Sequence, residues 1–227
     1  MQTSRFPFTV VAFDLDGTLV DTAPDLTAAL NNALGSLGRP AIDPESVRHM
    51  VGHGARALLR QGLQATGTCD ETLIDRGFPV FIDHYTAHIA DTSRPYPGVA
   101  EALDRLDTLG VKLAICTNKA ESLALRLVEA LGWQDRFAAI VGGDTLPVRK
   151  PDPTPLFAAI AHAGGGPAAF VGDSITDTDT ARAAALPCIA VTFGFRDRPA
   201  EELGATALID HFDELIPALT KLQSPQV

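Results

Sequence analysis

The stretch Phe8-Thr9-Val10-Val11-Ala12-Phe13-Asp14-Leu15-Asp16-Gly17-Thr18-Leu19 governs how the rest of the chain is read. An apolar, β-rich run of strand length stops at two aspartates one residue apart, and a glycine and a threonine follow, residue types of turns and phosphate-binding loops. This pattern predicts a buried strand carrying carboxylates at its C-terminal end. In an open parallel α/β sheet that edge borders the crevice where ligands bind, because the strands stop there and the crossover loops diverge. Two acids at such an edge suit a divalent metal or acid-base chemistry. They also suit a polar loop that caps the next helix, with Asp16 or Thr18 as N-cap.

The whole chain narrows the classes. Its 227 residues make one large domain or two modest ones. The hydrophobic share is 46% and the charged share 20%, and no apolar run reaches the roughly 18 to 20 residues of a membrane span. The first seven residues lack the apolar segment and small-residue cleavage site of a secretory signal, so the cytoplasm is the expected compartment. Cys69, Cys116 and Cys188 form no CxxC pair, which fits a reducing environment. A net charge of -10 argues against nucleic acid, whose phosphates need a basic surface. The expected partner is a small molecule. If it is anionic, a metal, a lysine or oriented backbone N–H groups must overcome the acidic field. Monomer and homodimer are equally compatible with the sequence.

After Leu19 the period becomes helical. Asp21 or Thr22 can cap a helix over 25–37, with Leu26, Leu30, Ala33, Leu34 and Leu37 on one face and Gly38 and Pro40 at its end. Amphipathic segments follow near 43–50, 55–64 and 71–89, and none alternates like a strand. A proline-rich stretch, Thr92-Ser93-Arg94-Pro95-Tyr96-Pro97-Gly98, then marks a return. Beyond it, helices over 99–109, 120–131, 154–163, 177–185 and 213–222 alternate with strands over 112–116, 139–141, 168–171 and 188–191 and the apolar pair Leu208-Ile209. Alternation of this kind predicts a doubly wound, Rossmann-like parallel α/β sheet, interrupted after its first strand by an all-helical insertion.

Three later strands also end in polar clusters. One runs into Thr117-Asn118-Lys119, where a hydroxyl and an amide can hydrogen-bond phosphate oxygens. Another leads through Gly142-Gly143-Asp144 to Lys150-Pro151, a lysine beside a proline just before a helix. A third runs into Gly172-Asp173-Ser174-Ile175-Thr176-Asp177. Each has a bland reading as a helix cap or a solvated charge. All of them at one edge of one sheet, in this order, point to a phosphate site.

These segments resemble the four motifs of the haloacid dehalogenase superfamily. The resemblance implies a catalytic core of residues 1–20 and 95–227 and a helical cap of residues 21–94 inserted after the first strand. It implies Asp14 as the nucleophile, forming an aspartyl-phosphate and splitting one hard hydrolysis into two easier displacements. Asp16 would protonate the leaving alkoxide and then activate water, so it must hold a proton in the first step. The dehalogenase branch lacks this second aspartate. The implied metal is Mg2+, bound by a carboxylate oxygen of Asp14, the main-chain carbonyl of Asp16 and the carboxylate of Asp173, with Asp177 orienting them from behind. Thr117, Asn118, Lys150 and the N–H groups of the 16–18 turn would hold the phosphate.

The longer stretches Phe13 to Leu26, Val51-Gly52-His53-Gly54-Ala55-Arg56 and Gly142-Gly143-Asp144-Thr145-Leu146-Pro147 resemble bacterial phosphoglycolate phosphatases. That resemblance implies hydrolysis of 2-phosphoglycolate to glycolate and phosphate. Arg56, in the first turn of a helix where the dipole does not favour a cation, could then offer its fork to the substrate carboxylate. Two alternatives share the fold: a phosphatase acting on a sugar phosphate such as N-acetylmuramic acid 6-phosphate, and a phosphotransferase of the β-phosphoglucomutase kind. A dinucleotide-binding domain is disfavoured, because DLDGT stands where a GxGxxG turn would. The sequence assigns no place to Trp133 or to Phe193-Gly194-Phe195-Arg196.

Overall fold

A computed structural model describes residues 6–196 and 198–222; most of the N-terminal segment read for a targeting signal, residues 1–5, lies outside the described residues. Strand β1 is Val10–Phe13, and every residue in it is buried. Val11 and Phe13 join one apolar cluster while Val10 and Ala12 join the other, the two-residue period of a strand covered on both faces. A short strand β2 (Val20–Asp21) leads into helices α1 (Ala23–Ser36), α2 (Pro44–Arg48), α3 (Ala55–Thr66) and α4 (Glu71–Ala87). Strand β3 (Arg94–Pro95) closes this excursion by pairing antiparallel with β2. There follow α5 (Val99–Thr108), β4 (Lys112–Cys116), α6 (Glu121–Ala130), β5 (Ala139–Val141), α7 (Thr154–His162), β6 (Ala168–Gly172), α8 (Ile175–Ala183), β7 (Cys188–Val191), β8 (Ala207–Ile209) and α9 (Leu215–Lys221).

Six strands form one parallel sheet in the order β5-β4-β1-β6-β7-β8, the doubly wound arrangement the alternation predicts. The chain winds from β1 to one edge, then crosses back to β6 and winds to the other. β1 and β6 therefore flank the point where crossovers diverge, and a crevice opens there at the strands' C-terminal ends. Side chains from α5, α6 and α9 cover one face and those from α7 and α8 the other. The first of these clusters continues through Leu15, Leu19 and Leu26 into α1, α3 and α4, so the inserted helices and the sheet share apolar contacts.

The structure corrects several boundaries. Helix α1 starts at Ala23 rather than residue 25, with Pro24 supplying a helical φ in the first turn. Neither proposed cap acts as one for it in the usual way: the Thr22 hydroxyl donates instead to Asp16 Oδ1 at 2.8 Å. Helix α8 starts at Ile175 rather than residue 177, because Asp177 sits at its third position and reaches back to accept from the Ser174 N–H. The β2–β3 ribbon gave no signal in the sequence, since two residues per strand cannot show a period. Trp133 is a core residue whose ring centre lies 6.2 Å from that of Phe137, with the two rings tilted by 56°.

Asp25 fastens the two ends of the helical excursion together. Buried in the first turn of α1, its carboxylate accepts from the backbone N–H of Thr92 and of Ser93 and from both their hydroxyls. Burial alone would raise its pKa, but the Ser93 and Thr92 donors outweigh burial and hold it below the ordinary 3.8. Asp25→Asn puts an amide donor against these donors, and we expect it to cost about 1.5–3 kcal/mol of unfolding free energy at pH 7. A depressed carboxylate stabilises above its unfolded pKa and loses that contribution as pH falls through the folded one. The gap between wild type and variant in denaturant unfolding should therefore narrow as pH falls below the ordinary 3.8 and through the lower folded value. A gap that stays constant as pH falls below 3.8 until the protein acid-unfolds would contradict this role.

Candidate active site

The three central strands deliver the functional groups. Asp14 follows β1, Thr117 follows β4 and Asp173 follows β6, so all stand side by side at the C-terminal edge. The carboxylates of Asp14, Asp173 and Asp177 are buried, with ligand oxygens all within 4.8 Å of one another. Lys150, on the loop before α7, places its Nζ 3.1 Å from Asp14 Oδ1 and 2.6 Å from Asp177 Oδ1. Burial would lower the lysine's pKa, but Asp14 and Asp177 override it and keep the ammonium charged.

Each acid has a different set of partners. Asp177 is saturated: Oδ1 faces Lys150, and Oδ2 accepts from the N–H groups of Asp173 and Ser174 and from the Ser174 hydroxyl. Asp173 Oδ1 accepts from the Thr18 hydroxyl at 2.8 Å, and its Oδ2 accepts from the Phe195 N–H at 2.6 Å. No cation among the described residues pairs with Asp173. Burial first, then the Asp177 and Asp14 charges, raise its pKa well above the ordinary carboxylate value. Asp14 accepts from the Leu15 N–H at 2.7 Å, and burial pushes its pKa up to about 6 against the opposing pull of Lys150.

The space around Asp173 is tight enough to fix neighbouring backbone. Gly17 has φ +82, and a Cβ there would lie 2.5 Å from Asp173 Oδ2 and 2.9 Å from the Phe195 ring. A Cβ on Gly194 would lie 2.3 Å from that of Asp173. The Phe-Gly-Phe-Arg stretch at 193–196, unassigned from sequence, is thus a loop that closes over Asp173 and donates to it.

Asp16 points elsewhere. Its carboxylate meets Lys119 Nζ at 2.9 and 3.2 Å as well as the Thr22 hydroxyl. Lys119 is only 6% exposed and also donates to the Tyr85 hydroxyl at 2.6 Å, with its Nζ 4.5 Å from the centre of that ring. Burial would lower the Lys119 pKa, but Asp16 raises it beyond the ordinary value, so the ammonium is fixed. Burial pushes the Tyr85 phenol up to about 12.

Asp14, Asp16, Thr117, Asn118, Lys119 and Tyr85 form the polar wall of a cavity of about 40 Å³, and Leu26, Leu58 and Leu123 form part of its apolar wall.

Most of the residues singled out in the sequence meet here, but three groups are engaged otherwise than expected. Arg56 does not line the cavity: it is 45% exposed, bonded to Glu71 at 3.0 Å and Asp75 at 2.5 Å on α4, which supplies the charge its helix position lacks. Asn118 uses its amide N–H groups on the carbonyls of Gly52 and Lys150, so it ties two loops together, while its Oδ1 is buried without a partner among the described residues. The Gly17 N–H is spent on the Val20 carbonyl. Lys119, Tyr85, Thr22 and Phe195 were not foreseen. Lys119 alone carried a signal, as a cation two residues beyond a strand-end threonine.

The sequence matches the family described as haloacid dehalogenase-like hydrolase over residues 11–191, a span that holds every group above except Phe195. The chain belongs to the haloacid dehalogenase-like hydrolase family. Among its relatives, the phosphoglycolate phosphatase of Mesorhizobium japonicum is 48% identical over 93% of this chain and 95% of that one. That of Agrobacterium fabrum is 46% identical over 96% and 94%. A crystal structure described as a predicted phosphoglycolate phosphatase from Haemophilus somnus superposes with a TM-score of 0.88 at 29% identity, covering 93% and 98%. This family member is an enzyme, a hydrolase.

The site's charges test whether a divalent metal fits. Four carboxylates, Asp14, Asp16, Asp173 and Asp177, face two ammoniums, Lys119 and Lys150, an excess of two negative charges. The converging donors are all oxygens, the set a hard cation such as Mg2+ takes. Without metal, acids whose folded pKa is raised stabilise at low pH and cost stability as pH rises from their ordinary value through the folded one, about 4 to 6 for Asp14. Mg2+ should therefore stabilise much more at pH 8 than at pH 5. At a hundredfold excess over Kd the gain is about 2.7 kcal/mol, or about 5–10 °C in Tm at pH 8. A shift in thermal unfolding that is absent or equal at both pH values would contradict the metal site.

Proposed function

We propose that this hydrolase is a Mg2+-dependent phosphatase that converts 2-phosphoglycolate to glycolate and phosphate through an aspartyl-phosphate on Asp14. The observation that carries the reading is one small cavity with Asp14 and Asp16 on its wall, backed by Lys150 and the acidic cluster. Relatives at 48% and 46% identity bear the phosphoglycolate phosphatase name.

In the first step an Asp14 oxygen attacks phosphorus, the bond from phosphorus to the ester oxygen breaks, and Asp16 gives its proton to the departing alkoxide. In the second, Asp16 takes a proton from water, the water oxygen attacks phosphorus, and the bond to Asp14 breaks, returning its carboxylate and releasing phosphate. Asp14, Asp173 and the Asp16 carbonyl would hold Mg2+, which when bound supplies the positive charge that lets an anionic nucleophile approach an anionic phosphate. Asp177 fixes Lys150 and the backbone of Asp173, and Lys150 faces the charge that builds on the phosphoryl oxygens. Thr117 opposes the rise that burial imposes on the Asp14 pKa, which favours the ionised nucleophile. Residues 21–94 act as a cap whose loop at Gly52 is docked on Asn118 and whose leucines exclude water.

The test is phosphate release from 2-phosphoglycolate beside a panel of sugar phosphates and nucleotides, with Mg2+ and then with EDTA. We expect phosphoglycolate to lead the panel, EDTA to abolish turnover, and Asp14→Asn to lower kcat by at least about 10⁴-fold. Preference for another ester would overturn the substrate, and turnover surviving Asp14→Asn would overturn the mechanism. Dependence on a bisphosphate activator would make the enzyme a phosphotransferase instead.

A further inference from the structure

2-Phosphoglycolate has two anionic ends, and the site described so far provides for one of them. Lys150, Thr117 and the metal ligands serve the phosphoryl group. The carboxylate needs a second cation, because burying it unpaired in a cavity with apolar walls is costly. Arg56 is paired with Glu71 and Asp75 and lines, with Lys150 and Asn118, a neighbouring open cavity rather than the one that holds Asp14 and Asp16. Lys150 is committed to the phosphoryl side beside Asp14 and Asp177, which leaves Lys119 as the one cation lining this cavity among the described residues.

We propose that Lys119 selects the substrate: its ammonium, held by Tyr85 beside Asp16, binds the carboxylate that a single methylene separates from the ester oxygen. The inference rests on the phosphatase reading above. If Asp16 faces the leaving oxygen, a carboxylate one methylene further lies next to the Asp16 side chain. Lys119 Nζ is there, 2.9 and 3.2 Å from the two Asp16 oxygens. The Tyr85 hydroxyl, 2.6 Å from Nζ, keeps the ammonium at that point when a second carboxylate shares it. Tyr85 comes from α4, so the cap contributes to specificity by holding a core lysine. The ammonium's three donors meet the two Asp16 oxygens and the Tyr85 hydroxyl, so the substrate carboxylate takes the donor now spent on the longer, 3.2 Å contact to Asp16.

The test compares kcat/KM for 2-phosphoglycolate with that for 2-hydroxyethyl phosphate, the alcohol of the same length, in wild type and Lys119→Met, which keeps the stem and drops the charge. We expect wild type to favour the acid by about 30-fold or more, the scale of a charge-assisted bond, and the variant to favour it by less than about threefold, with the loss mainly in KM for the acid. An unchanged ratio, with both esters losing equally, would overturn the proposal and leave Lys119 as a support for Asp16 alone. A wild type that does not favour the acid would overturn the phosphoglycolate reading along with it. Should Lys119→Met fail to fold, Tyr85→Phe takes its place, because it removes only the hydroxyl that holds the ammonium. A ratio lowered about threefold or more supports the proposal, and an unchanged one overturns it.

Discussion

Four carboxylates share one water-poor edge of the sheet, and among the described residues only two ammoniums face them. Burying unpaired charge is among the most expensive things a fold can do, so every part of this edge works to offset it. Lys150 sits between Asp14 and Asp177 and Lys119 sits between Asp16 and Tyr85. Backbone N–H groups and hydroxyls take most of the remaining oxygens. What these leave over is negative charge around Asp14 and Asp173, and burial shows it by raising the pKa of both acids. The same deficit that penalises the protein alone is what draws in a divalent cation and a doubly charged phosphate. Stability and function thus pull in opposite directions at this edge, as expected where a site must be ready to bind charge.

The two lysines divide the site. Lys150 belongs to the acid cluster beneath the phosphoryl position, while Lys119 belongs to Asp16 and faces the inserted helices. This division follows from topology. β1 sits between β4 and β6, so its terminal carboxylates have the cluster of β6 on one side and the threonine-to-lysine turn of β4 on the other. The helical excursion leaves and returns beside β1 through the β2–β3 ribbon, and Asp25 binds its return to its departure. Tyr85 on α4 therefore meets Lys119 at a distance that the core, the ribbon and the latch jointly set.

Much of this was legible in the sequence, for reasons that are physical. β1 and its successors were readable because strands buried on both faces are continuous apolar runs that stop abruptly at polar residues, and Asp14, Thr117, Lys150 and Asp173 lie at or near those stops. The parallel sheet followed from the alternation of strands with helices. Groups whose role depends on contacts distant in sequence were not legible. Tyr85 looks like one more apolar face residue after Phe81, and Phe195 sits in a loop with no period. Thr22 looks like a helix cap, yet its hydroxyl goes to Asp16. Arg56 was expected in the cavity from its unfavourable place at a helix start, whereas the acids of α4 that satisfy it there lie 15 and 19 residues further on. Asn118 was expected on phosphate and instead spends its donors on two carbonyls, a choice set by tertiary packing.

The central claim is that Asp14 accepts the phosphoryl group. The most direct measurement mixes enzyme with limiting 2-phosphoglycolate labelled with 32P, quenches in acid within milliseconds and maps the label on peptides. The account predicts transient label on one peptide, the one that carries Asp14, released by hydroxylamine as an acyl phosphate would be. Label on a different residue, or full turnover with no labelled protein at any quench time, would contradict it.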